Sequence, residues 1–372
     1  MAETLLVSLT EKHMRIQHFY PRTHNLGDHF VQIGIARMIR EIVPEAIFEL
    51  HDVNSRGLEK VDYGLSRSAI ERANNEADLI IVGGSNLYEG AFGWTWGVHL
   101  DLEALKELQV PLFLIGIGTG SSFDSPLHTP SARAKLEIKS LNEYAVLSGA
   151  RDVTTLEWLH QLGVTKAKLT GDPATFIFNY PLQQTNDGHV LITIPPRRIW
   201  NNKRQFWKVH TNGRAIFSAL VSLARTLLEK GEQVVVACND QMDLPVAQKL
   251  FDSWLPHPVV CPATAEEYFQ LLSKSRSVVS GRLHTAVVAF SLGIPFLLID
   301  IDQRTNAFLR TYQLETSSIL PTSSGMDRLL TEQTEVLLRE GRSQVWQTHI
   351  EKRDHMHHVA MNLLESALKS IG

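Results

Sequence analysis

Cysteine is scarce in this chain: Cys238 and Cys261 are the only two among 372 residues. Two cysteines cannot build a disulfide framework in a chain of this length, and both stand in apolar, strand-like runs, which predicts small buried side chains. No run of eighteen apolar residues occurs, so no membrane-spanning helix is predicted. The first residues lack the basic start and cleavage site of a secretion signal, and Glu3 stands at the start of the first apolar run. These absences predict a cytoplasmic protein.

Basic residues are not in excess either. The chain has 36 lysine and arginine residues against 40 aspartate and glutamate residues, a net charge of −4. Proteins that bind nucleic acid normally carry a basic surplus, so nucleic acid is excluded as the main partner. Any site for an anion must therefore be a local cluster of arginine, lysine or histidine.

Motifs for metals and for serine nucleophiles are also missing. The 16 histidines include no HxxxH or HExxH pair on a helix expected to face a cleft. The run His355-Met356-His357-His358 is typical of a solvated helix face. No GxSxG motif occurs. The sequence therefore predicts neither a bound metal nor a cofactor.

What the chain does contain is an alternation of short, β-branched apolar runs with longer amphipathic segments. Such continuous apolar runs are typical of parallel strands buried on both faces, and single helices between them predict crossover units. Strands are predicted at residues 4–8, 47–52, 78–83, 111–117, 144–148, 168–170, 189–194, 233–237, 258–261, 277–280 and 295–301. Helices are predicted at residues 28–42, 66–77, 98–108, 130–141, 152–162, 215–229, 244–254, 265–273, 285–292 and 326–339.

The alternation lapses in the polar, turn-rich stretch at residues 178–188 and then restarts, which predicts a linker between two similar halves. We predict two Rossmann-like, doubly wound parallel-sheet α/β domains that face a cleft, at residues 1–180 and 189–322. Residues 323–372 are predicted to be helices that pack back across the domains. The cleft between the domains is the expected ligand site.

Glycine-rich and polar segments follow the predicted strands of the first half, at the edge where parallel sheets bind ligands. In Asn25-Leu26-Gly27-Asp28, Gly27 permits a tight turn, and Asp28 is predicted to cap the next helix. Such a helix start is either a structural cap or a place where a ligand meets backbone N–H groups. The segment Gly83-Gly84-Ser85-Asn86 and the glycines of residues 116–120 are either ligand loops or packing turns.

Arg151 and Asp172 are predicted at strand ends on the cleft side. Arg151 stands in Gly149-Ala150-Arg151-Asp152, and Asp172 stands in Thr170-Gly171-Asp172-Pro173. A structural ion pair that holds the turns together is the commoner role of such residues, and a ligand contact is the alternative.

The segment Ser280-Gly281-Arg282-Leu283-His284 is the most informative one. It is expected to end a strand, and residues two apart in an extended chain point the same way, so Arg282 and His284 are predicted to face the cleft together. An arginine there clamps an anion, and a histidine delivers a proton to it. The alternative is a histidine that caps its own helix.

A basic loop follows the first strand of the second half. Residues 195–204 include four basic residues, Arg197, Arg198, Lys203 and Arg204, and the aromatic Trp200. The position at a strand end favours an anion contact, with Trp200 as a stacking face for a sugar. A solvated basic loop is the alternative.

Taken in order, these segments resemble the polysaccharide pyruvyltransferase family. Asn25-Leu26-Gly27-Asp28 resembles its opening NxGD element, residues 77–85 its glycine-ended strand with Ser85 in place of a third glycine, and residues 114–120 its GxGxG turn. The stretch from Arg151 to Asp172 and the stretch of residues 280–300 resemble two further elements. Arg304 stands where the family commonly has lysine.

The resemblance implies a GT-B-like enzyme that moves a pyruvyl group, as a ketal, from phosphoenolpyruvate to a sugar of a polysaccharide or glycan precursor. Phosphoenolpyruvate is then a co-substrate, and no cofactor is implied. The implied catalytic residues are Arg282 and His284. The implied donor contacts, on the second domain, are Arg197, Arg198, Gly281, Arg282 and Arg304. The implied acceptor contacts, mostly on the first domain, are Asn25, Asp28, Gly84, Ser85, Asn86, Arg151, Asp172 and Trp200.

In this mechanism a protonated His284 is the acid, so its pKa should lie at or above the usual value of about 6.5. Asp28 or Asp172 is expected to orient or deprotonate the acceptor. A free sugar and a lipid-linked glycan both remain open as acceptors, as do peripheral membrane contact and homo-oligomerisation.

Two other functions stay open. A GT-B-type glycosyltransferase with a nucleotide-sugar donor shares the cleft and would use a carboxylate such as Asp300 or Asp302 to bind the ribose. A non-catalytic sugar-binding protein would have no need of Arg282 and His284.

Overall fold

The computed structural model describes residues 13–54, 63–88, 97–120, 129–177, 188–200, 213–321, 325–340 and 344–371. Two parallel sheets form within these residues, one in each half of the chain. The strand predicted at residues 4–8 lies outside the described residues. The predicted fold class, two Rossmann-like parallel sheets with helices, is confirmed.

The first sheet has the strand order β2-β1-β3-β4-β5-β6. Its strands are β1 (Arg15–Tyr20), β2 (Ile47–Asp52), β3 (Leu79–Gly83), β4 (Leu112–Ile117), β5 (Leu147–Ala150) and β6 (Lys168–Leu169). Its helices are α1 (Leu26–Ile42), α2 (Arg67–Glu76), α3 (Leu102–Leu105), α4 (Ala132–Tyr144) and α5 (Val153–Gln161). Alternate residues of β3 join two different hydrophobic clusters, Leu79 and Ile81 in one and Ile80 and Val82 in the other, because successive strand side chains point to opposite faces.

The second sheet has the strand order β11-β10-β9-β7-β8. Its strands are β7 (His189–Thr193), β8 (Val234–Ala237), β9 (Ser275–Ser280), β10 (Phe296–Ile299) and β11 (Ser318–Ile319). The helices of this half are α6 (Arg197–Trp200), α7 (Gly213–Glu229), α8 (Leu244–Phe251), α9 (Ala265–Ser273), α10 (Leu283–Ser291), α11 (Gln303–Tyr312), α12 (Met326–Glu340) and α13 (Gln344–Lys369). In both sheets the strands are parallel, so their carboxyl ends share one edge.

Several elements differ from the predictions. Strand β1 was missed because Arg15, Gln17 and His18 interrupt its apolar pattern, although most of the strand is buried. The strand predicted at residues 258–261 is a single bridge between Ala237 and Val260. The helix predicted at residues 98–108 is only the short α3, and α11 was not predicted.

The two halves share one hydrophobic cluster, which includes residues of α1, α9 and α10. Phe30 of α1 packs against Tyr268 and Phe269 of α9, with ring centroids 5.3 Å apart in both pairs. The backbone N–H of Ile177 donates to the hydroxyl of Ser291 in α10 at 3.1 Å. Buried contacts of this kind hold one half against the other, because separating them would expose apolar surface.

The last helix, α13, contacts both halves. Arg353 donates to the carbonyl of Ser291 in α10 at 2.5 Å, and His357 lies 3.5 Å from the carboxylate of Glu41 in α1. The domain boundaries themselves stay predictions. Within the described residues, no helix carries an apolar stretch that would span a membrane.

His18 gives the fold a measurable dependence on pH. It is completely buried in β1, between β2 and β3, and burial lowers the pKa of its imidazole to about 3, opposed only in part by a backbone contact at Gly83. The unfolded chain, with a histidine pKa of about 6.5, takes up a proton below that pH, whereas folded His18 does not. Stability is therefore lost as the pH falls from about 6.5.

His18→Leu is expected to reduce the drop in unfolding free energy between pH 7 and pH 5 by about 2 kcal/mol, because the titrating group is gone. Urea titrations at both pH values measure the drop. His160→Ala, at an exposed position of α5, is the control and should leave it unchanged. An unchanged drop in the His18 variant would show that another group causes it.

Candidate active site

Both halves line a cavity of about 430 Å³ at the carboxyl ends of the strands. The first half contributes residues that follow β1, β3 and β5, namely Asn25, Asp28, Ser85, Asn86 and Arg151. The second half contributes residues that follow β7 to β10, namely Pro196, Arg197, Asn239, Asp240, Met242, Asp243, Gly281, Arg282, Leu283, His284, Ile301, Asp302, Arg304 and Thr305. The structure thus brings most of the predicted site residues to one place.

His284 reaches across the gap between the halves. Its imidazole lies against the first turn of α1, so closely that a Cβ on Gly27 would come within 2.3 Å of Nδ1. Its Nε2 lies 3.8 Å from Oδ2 of Asp172, and the side chain is 15 % exposed. His284 is therefore on the cavity wall and in contact with the opposite half.

Arg282 and His284 share the cavity for a different reason from the one predicted. Arg282 has an extended backbone as the N-cap of α10, but this helix begins at Leu283, so His284 is already helical. They do not alternate along one extended segment. Both face the cavity because the end of β9 and the first turn of α10 border it together.

With only protein groups around it, His284 is neutral at pH 7. Burial, together with the Arg151 and Arg304 guanidinium groups, lowers the pKa of its imidazole to about 4, and the Asp28 carboxylate opposes them in part. The imidazole also lies at the N-terminus of α1, where the positive end of the helix dipole lowers its pKa in the same direction. The expected pKa of 6.5 or more is therefore wrong for the protein alone. For His284 to be protonated near pH 7, a bound anion would have to oppose these effects on its pKa.

Arg282 is held at two points. Its Nε donates to the carbonyl of Ile194 at 3.3 Å, and its Nη2 forms an ion pair with Asp243. Gly281 beside it also lines the cavity, and a Cβ there would lie 2.6 Å from the backbone nitrogen of Pro195. The close passage of the β7 and β9 ends therefore requires glycine at position 281.

Arg304 enters the cavity from the first turn of α11. Asp302 caps this helix in a capping box with Thr305, and its carboxylate also accepts from Nε of Arg304 at 3.0 Å. The side chain of Arg304 lies close to the first half, as shown by the distance of 3.2 Å that a Cβ on Gly120 would have to Cγ of Arg304. Arg304 therefore lies where the two halves meet.

Arg151, in the first half, is buried, with its side chain 3 % exposed. Its Nε donates to Asp152 at 3.2 Å and lies 3.9 Å from Asp172, and its Nη2 donates to Asn86 at 3.4 Å. Gly118 makes room for it, since a Cβ there would lie 2.3 Å from the guanidinium carbon. Arg151 thus forms the structural ion pairs that its sequence favours, and it also lines the cavity.

Asp172 does not line the cavity. It is buried behind His284 and Arg151, and its carboxylate accepts from the N–H of Ala174 at 3.0 Å. Burial raises the pKa of this carboxyl, and the Arg151 guanidinium opposes the rise. The predicted direct contact between Asp172 and the acceptor is therefore not supported by its position.

The cap of α1 also differs from the prediction. Asn25, not Asp28, is the N-cap, and its side chain accepts from the N–H of Gly27 at 3.2 Å. The helix begins at Leu26, so Asp28 lies inside the first turn, where its carboxylate accepts from the hydroxyl of Thr23 at 2.6 Å. Asp28 is buried, and it is one of the residues that line the cavity.

Gly84 and Ser85 form a left-handed turn after β3, with φ values of 82° and 61°. Gly84 does not line the cavity; a Cβ there would lie 2.3 Å from Cγ1 of Val31, so its role is the close packing of α1 on β3. Ser85 does line the cavity, in a conformation that favours glycine. Asn86 beside it donates to the carbonyl of Gly120 at 2.9 Å.

The basic loop is described only in part. Arg197 is exposed and lines the cavity, and its backbone N–H donates to Asp243 at 2.8 Å. The side chains of Arg198 and Trp200 lie outside the described part of the chain, as do residues 201–212, so the roles predicted for them stay predictions.

The loop after β8 was not identified from the sequence. Its residues Asn239, Asp240, Met242 and Asp243 all line the cavity. The run has the composition of an ordinary surface turn, and only its position after a strand could have pointed to it. Among the described residues, no group of three or more histidine, cysteine, aspartate or glutamate side chains is arranged to hold a metal ion.

Gly27→Ala is expected to lower kcat about 100-fold, because the added methyl group would occupy the space of the His284 ring and displace it. The KM for the donor should change little, since the arginines predicted to contact the donor lie on the other half. Steady-state kinetics measure both. In a His284→Ala background the methyl group has room, so adding Gly27→Ala there should cost no further activity; an equal loss in both backgrounds would contradict the contact.

Two parallel sheets whose strand ends face a shared cavity define a GT-B-like enzyme fold. Neisseria meningitidis UDP-GlcNAc 2-epimerase bound to UDP-GlcNAc aligns with a TM-score of 0.55 and 15 % identity, covering 96 % of this chain and 100 % of that chain. The Methanocaldococcus jannaschii UDP-GlcNAc 2-epimerase complex with UDP-GlcNAc and UDP aligns with a TM-score of 0.56 and 12 % identity, covering 95 % and 100 %. At these identities the similarity shows the fold alone.

The family follows from the sequence match. The family model of the polysaccharide pyruvyl transferases matches residues 25–303, most of the chain, and includes the segments that carry Asn25, Arg151, Arg282 and His284. The chain therefore belongs to the polysaccharide pyruvyl transferase family and is a transferase. A comparison with curated proteins finds no match.

Proposed function

We propose that the protein transfers a pyruvyl group from phosphoenolpyruvate to two hydroxyls of a sugar, forming a ketal. The observation that carries the proposal is the convergence of Arg197, Arg282 and Arg304 with His284 on one cavity. Phosphoenolpyruvate presents a carboxylate and a phosphate within a few ångströms of each other. Guanidinium groups match both anions with paired hydrogen bonds, so a cluster of arginines fits this donor.

The proton step falls to His284. The donor's phosphate and carboxylate would oppose Arg151 and Arg304 electrostatically and raise the pKa of the imidazole from about 4. Asp172, 3.8 Å from Nε2, would stabilise the imidazolium further. His284 then protonates the methylene carbon of the donor, which becomes a methyl group, and the adjacent carbon becomes cationic.

The acceptor completes the reaction. One sugar hydroxyl adds to the cationic carbon, phosphate leaves, and a second hydroxyl of the same sugar closes the ketal. Two hydroxyl protons are released; one returns to His284 and the other leaves with phosphate. Asp28 is the better candidate for the base, since it lines the cavity and Asp172 does not.

The side chains that line the first half suit a sugar. Asn25, Ser85 and Asn86, whose side chains carry amide and hydroxyl groups, line the cavity together with Asp28. These groups donate to and accept from hydroxyls without requiring a charge on the acceptor. A sugar hydroxyl pair held there would face the donor across the cavity.

The two carboxylates that a nucleotide-sugar donor would use are engaged within the protein. Asp302 caps α11 and pairs with Arg304, and Asp300 accepts from Thr305 and from Asn306. These contacts favour phosphoenolpyruvate over a ribose-containing donor.

Incubation with phosphoenolpyruvate and a panel of free and lipid-linked sugars tests the proposal. Phosphate release with one class of acceptor, and a product heavier than that acceptor by one pyruvyl ketal in mass spectrometry, is the expected result. A parallel panel of nucleotide sugars should release no nucleotide. Nucleotide release, with no phosphate from phosphoenolpyruvate, would overturn the proposal.

A further inference from the structure

Asp243 is the last residue of a 3₁₀ turn, Gln241–Asp243, that runs directly into α8. It precedes α8, yet its side chain makes no hydrogen bond to the first turn. Nearby Asp240 and Asp302 both cap the helical turns that follow them, through their carboxylates. An aspartate that caps a helix has an extended backbone and accepts from free N–H groups of the first turn, whereas Asp243 has a helical backbone, with φ −90° and ψ −21°. The carboxylate of Asp243 is directed elsewhere.

Its partners are the two arginines proposed to bind the donor. One oxygen accepts from the backbone N–H of Arg197 at 2.8 Å, and the other pairs with Nη2 of Arg282. The side chain of Asp243 is 3 % exposed. A buried carboxylate requires partners of this kind, because removing it from water costs several kcal/mol that only an opposite charge and hydrogen bonds offset.

The geometry joins the ends of three neighbouring strands. Arg197 follows β7, Asp243 follows β8 and Arg282 follows β9. The carbonyl of Ile194, also after β7, accepts from Nε of Arg282 at 3.3 Å and provides a second anchor. Two anchors on different edges of a planar guanidinium determine its orientation, whereas one anchor leaves the plane able to rotate.

We propose that Asp243 is a positioning residue for the donor: it orients the guanidinium of Arg282, and the backbone of Arg197, toward the anion. This inference rests on the proposed function, because it takes the anionic donor as the ligand of Arg282. Asp243 acts through Arg282 and performs no proton transfer.

A double-mutant cycle tests the proposal. Asp243→Asn keeps the size of the side chain and an acceptor for Arg197 but loses the charge that holds Arg282. It is expected to lower kcat/KM for phosphoenolpyruvate about 10- to 30-fold in the wild-type background and less than about 2-fold in an Arg282→Ala background. Asp252→Asn, at the other end of α8, is the matched control; its carboxylate accepts from the N–H of Val259 at 3.1 Å, away from the cavity, and kcat/KM should not change.

An equal loss in both backgrounds, or no loss in either, would overturn the role of Asp243. A lower Tm with an unchanged kcat/KM of the folded enzyme would also overturn it, because that result means a structural role alone. Should Asp243→Asn fail to fold, Asp243→Glu replaces it in the cycle, since it retains the charge and shifts it by one methylene. The same non-additivity is expected.

The dissociation constant of inorganic phosphate is also measured by calorimetry for each variant of the double-mutant cycle. This separates the two proposals. A wild-type enzyme that binds phosphate but releases none from phosphoenolpyruvate contradicts the proposed function, and the phosphate cycle still decides the role of Asp243. A wild-type enzyme that binds no phosphate contradicts both.

Discussion

Replacing His284 with alanine is expected to lower kcat about 10²- to 10⁴-fold, the usual contribution of a general acid, while phosphoenolpyruvate still binds. The proposed donor contacts are arginines, and the substitution removes none of them. When both quantities are measured on this variant, we expect kcat to fall and the dissociation constant of the donor to change less than about 3-fold. His160→Ala, at an exposed position of α5, is the control and should retain full activity. Normal turnover in the His284 variant would exclude the acid role.

The proton itself can be counted. The pKa of about 4 means that His284 carries no proton at pH 7.5 before the donor arrives. If the donor converts it to imidazolium, binding at this pH must take up close to one proton. Calorimetry in buffers of different ionisation enthalpy measures this number, and His284→Ala should abolish the uptake. Binding without proton uptake in the wild type would assign the acid to another group.

The pH dependence of kcat has a defined sign. An acid must be protonated in the complex, so kcat should be constant at low pH and fall as the pH rises through the raised pKa of the bound enzyme. The pH profile of kcat/KM should instead report the lower pKa of His284 in the free enzyme. A kcat that rises through the same range would indicate that His284 is a base.

Replacing Arg282 with alanine is expected to lower kcat/KM for phosphoenolpyruvate about 10²- to 10³-fold, with a rise in KM as well as a fall in kcat. Truncating one partner of a buried charge pair costs several kcal/mol, partly because the other charge is left unpaired. That other charge is Asp243, 3 % exposed, so the variant should also unfold at a lower Tm. Donor titrations and thermal melts separate the two effects.

Arg282→Lys tests the geometry of the contact. Lysine retains the positive charge but has no planar fork, so it cannot keep both the Ile194 and the Asp243 anchors in the same arrangement. We expect Arg282→Lys to have a Tm closer to the wild-type value than that of Arg282→Ala. Its kcat/KM should be less than a tenth of the wild-type value. Arg328→Ala, at a side chain 81 % exposed on α12, is the control. Full activity in Arg282→Lys would show that charge alone suffices.

Much of the fold was readable from local patterns. The strands predicted at residues 47–52, 78–83 and 111–117 are present in the structure, and the amphipathic segments between predicted strands indicated the crossover helices. Strand β1 failed the same test, because the charged and polar residues in it break the alternation even though its neighbours on both sides bury it. A local sequence pattern does not show that a strand is buried by neighbouring strands from other parts of the chain.

The site was readable in part for a similar reason. Arg151, Arg282 and His284 were predicted because each follows a strand, and parallel sheets collect such positions at one edge. Asp243 also follows a strand, but its segment carries no glycine or motif that separates it from a surface turn. Asn25 caps α1 in place of the predicted Asp28, because the helix begins at Leu26, two residues before the predicted helix at residues 28–42.

By itself the sequence determined the class of fold, the family and the strand ends at which chemistry is expected, because these depend on periodicity and motifs within short stretches. Only the tertiary structure decided that Gly27 leaves room for His284, that Arg151 lowers the pKa of that histidine, and that Asp243 holds Arg282. These are contacts between residues remote in the chain or on different segments. They arise when apolar burial brings the strand ends together, and no local pattern encodes their distances or charges.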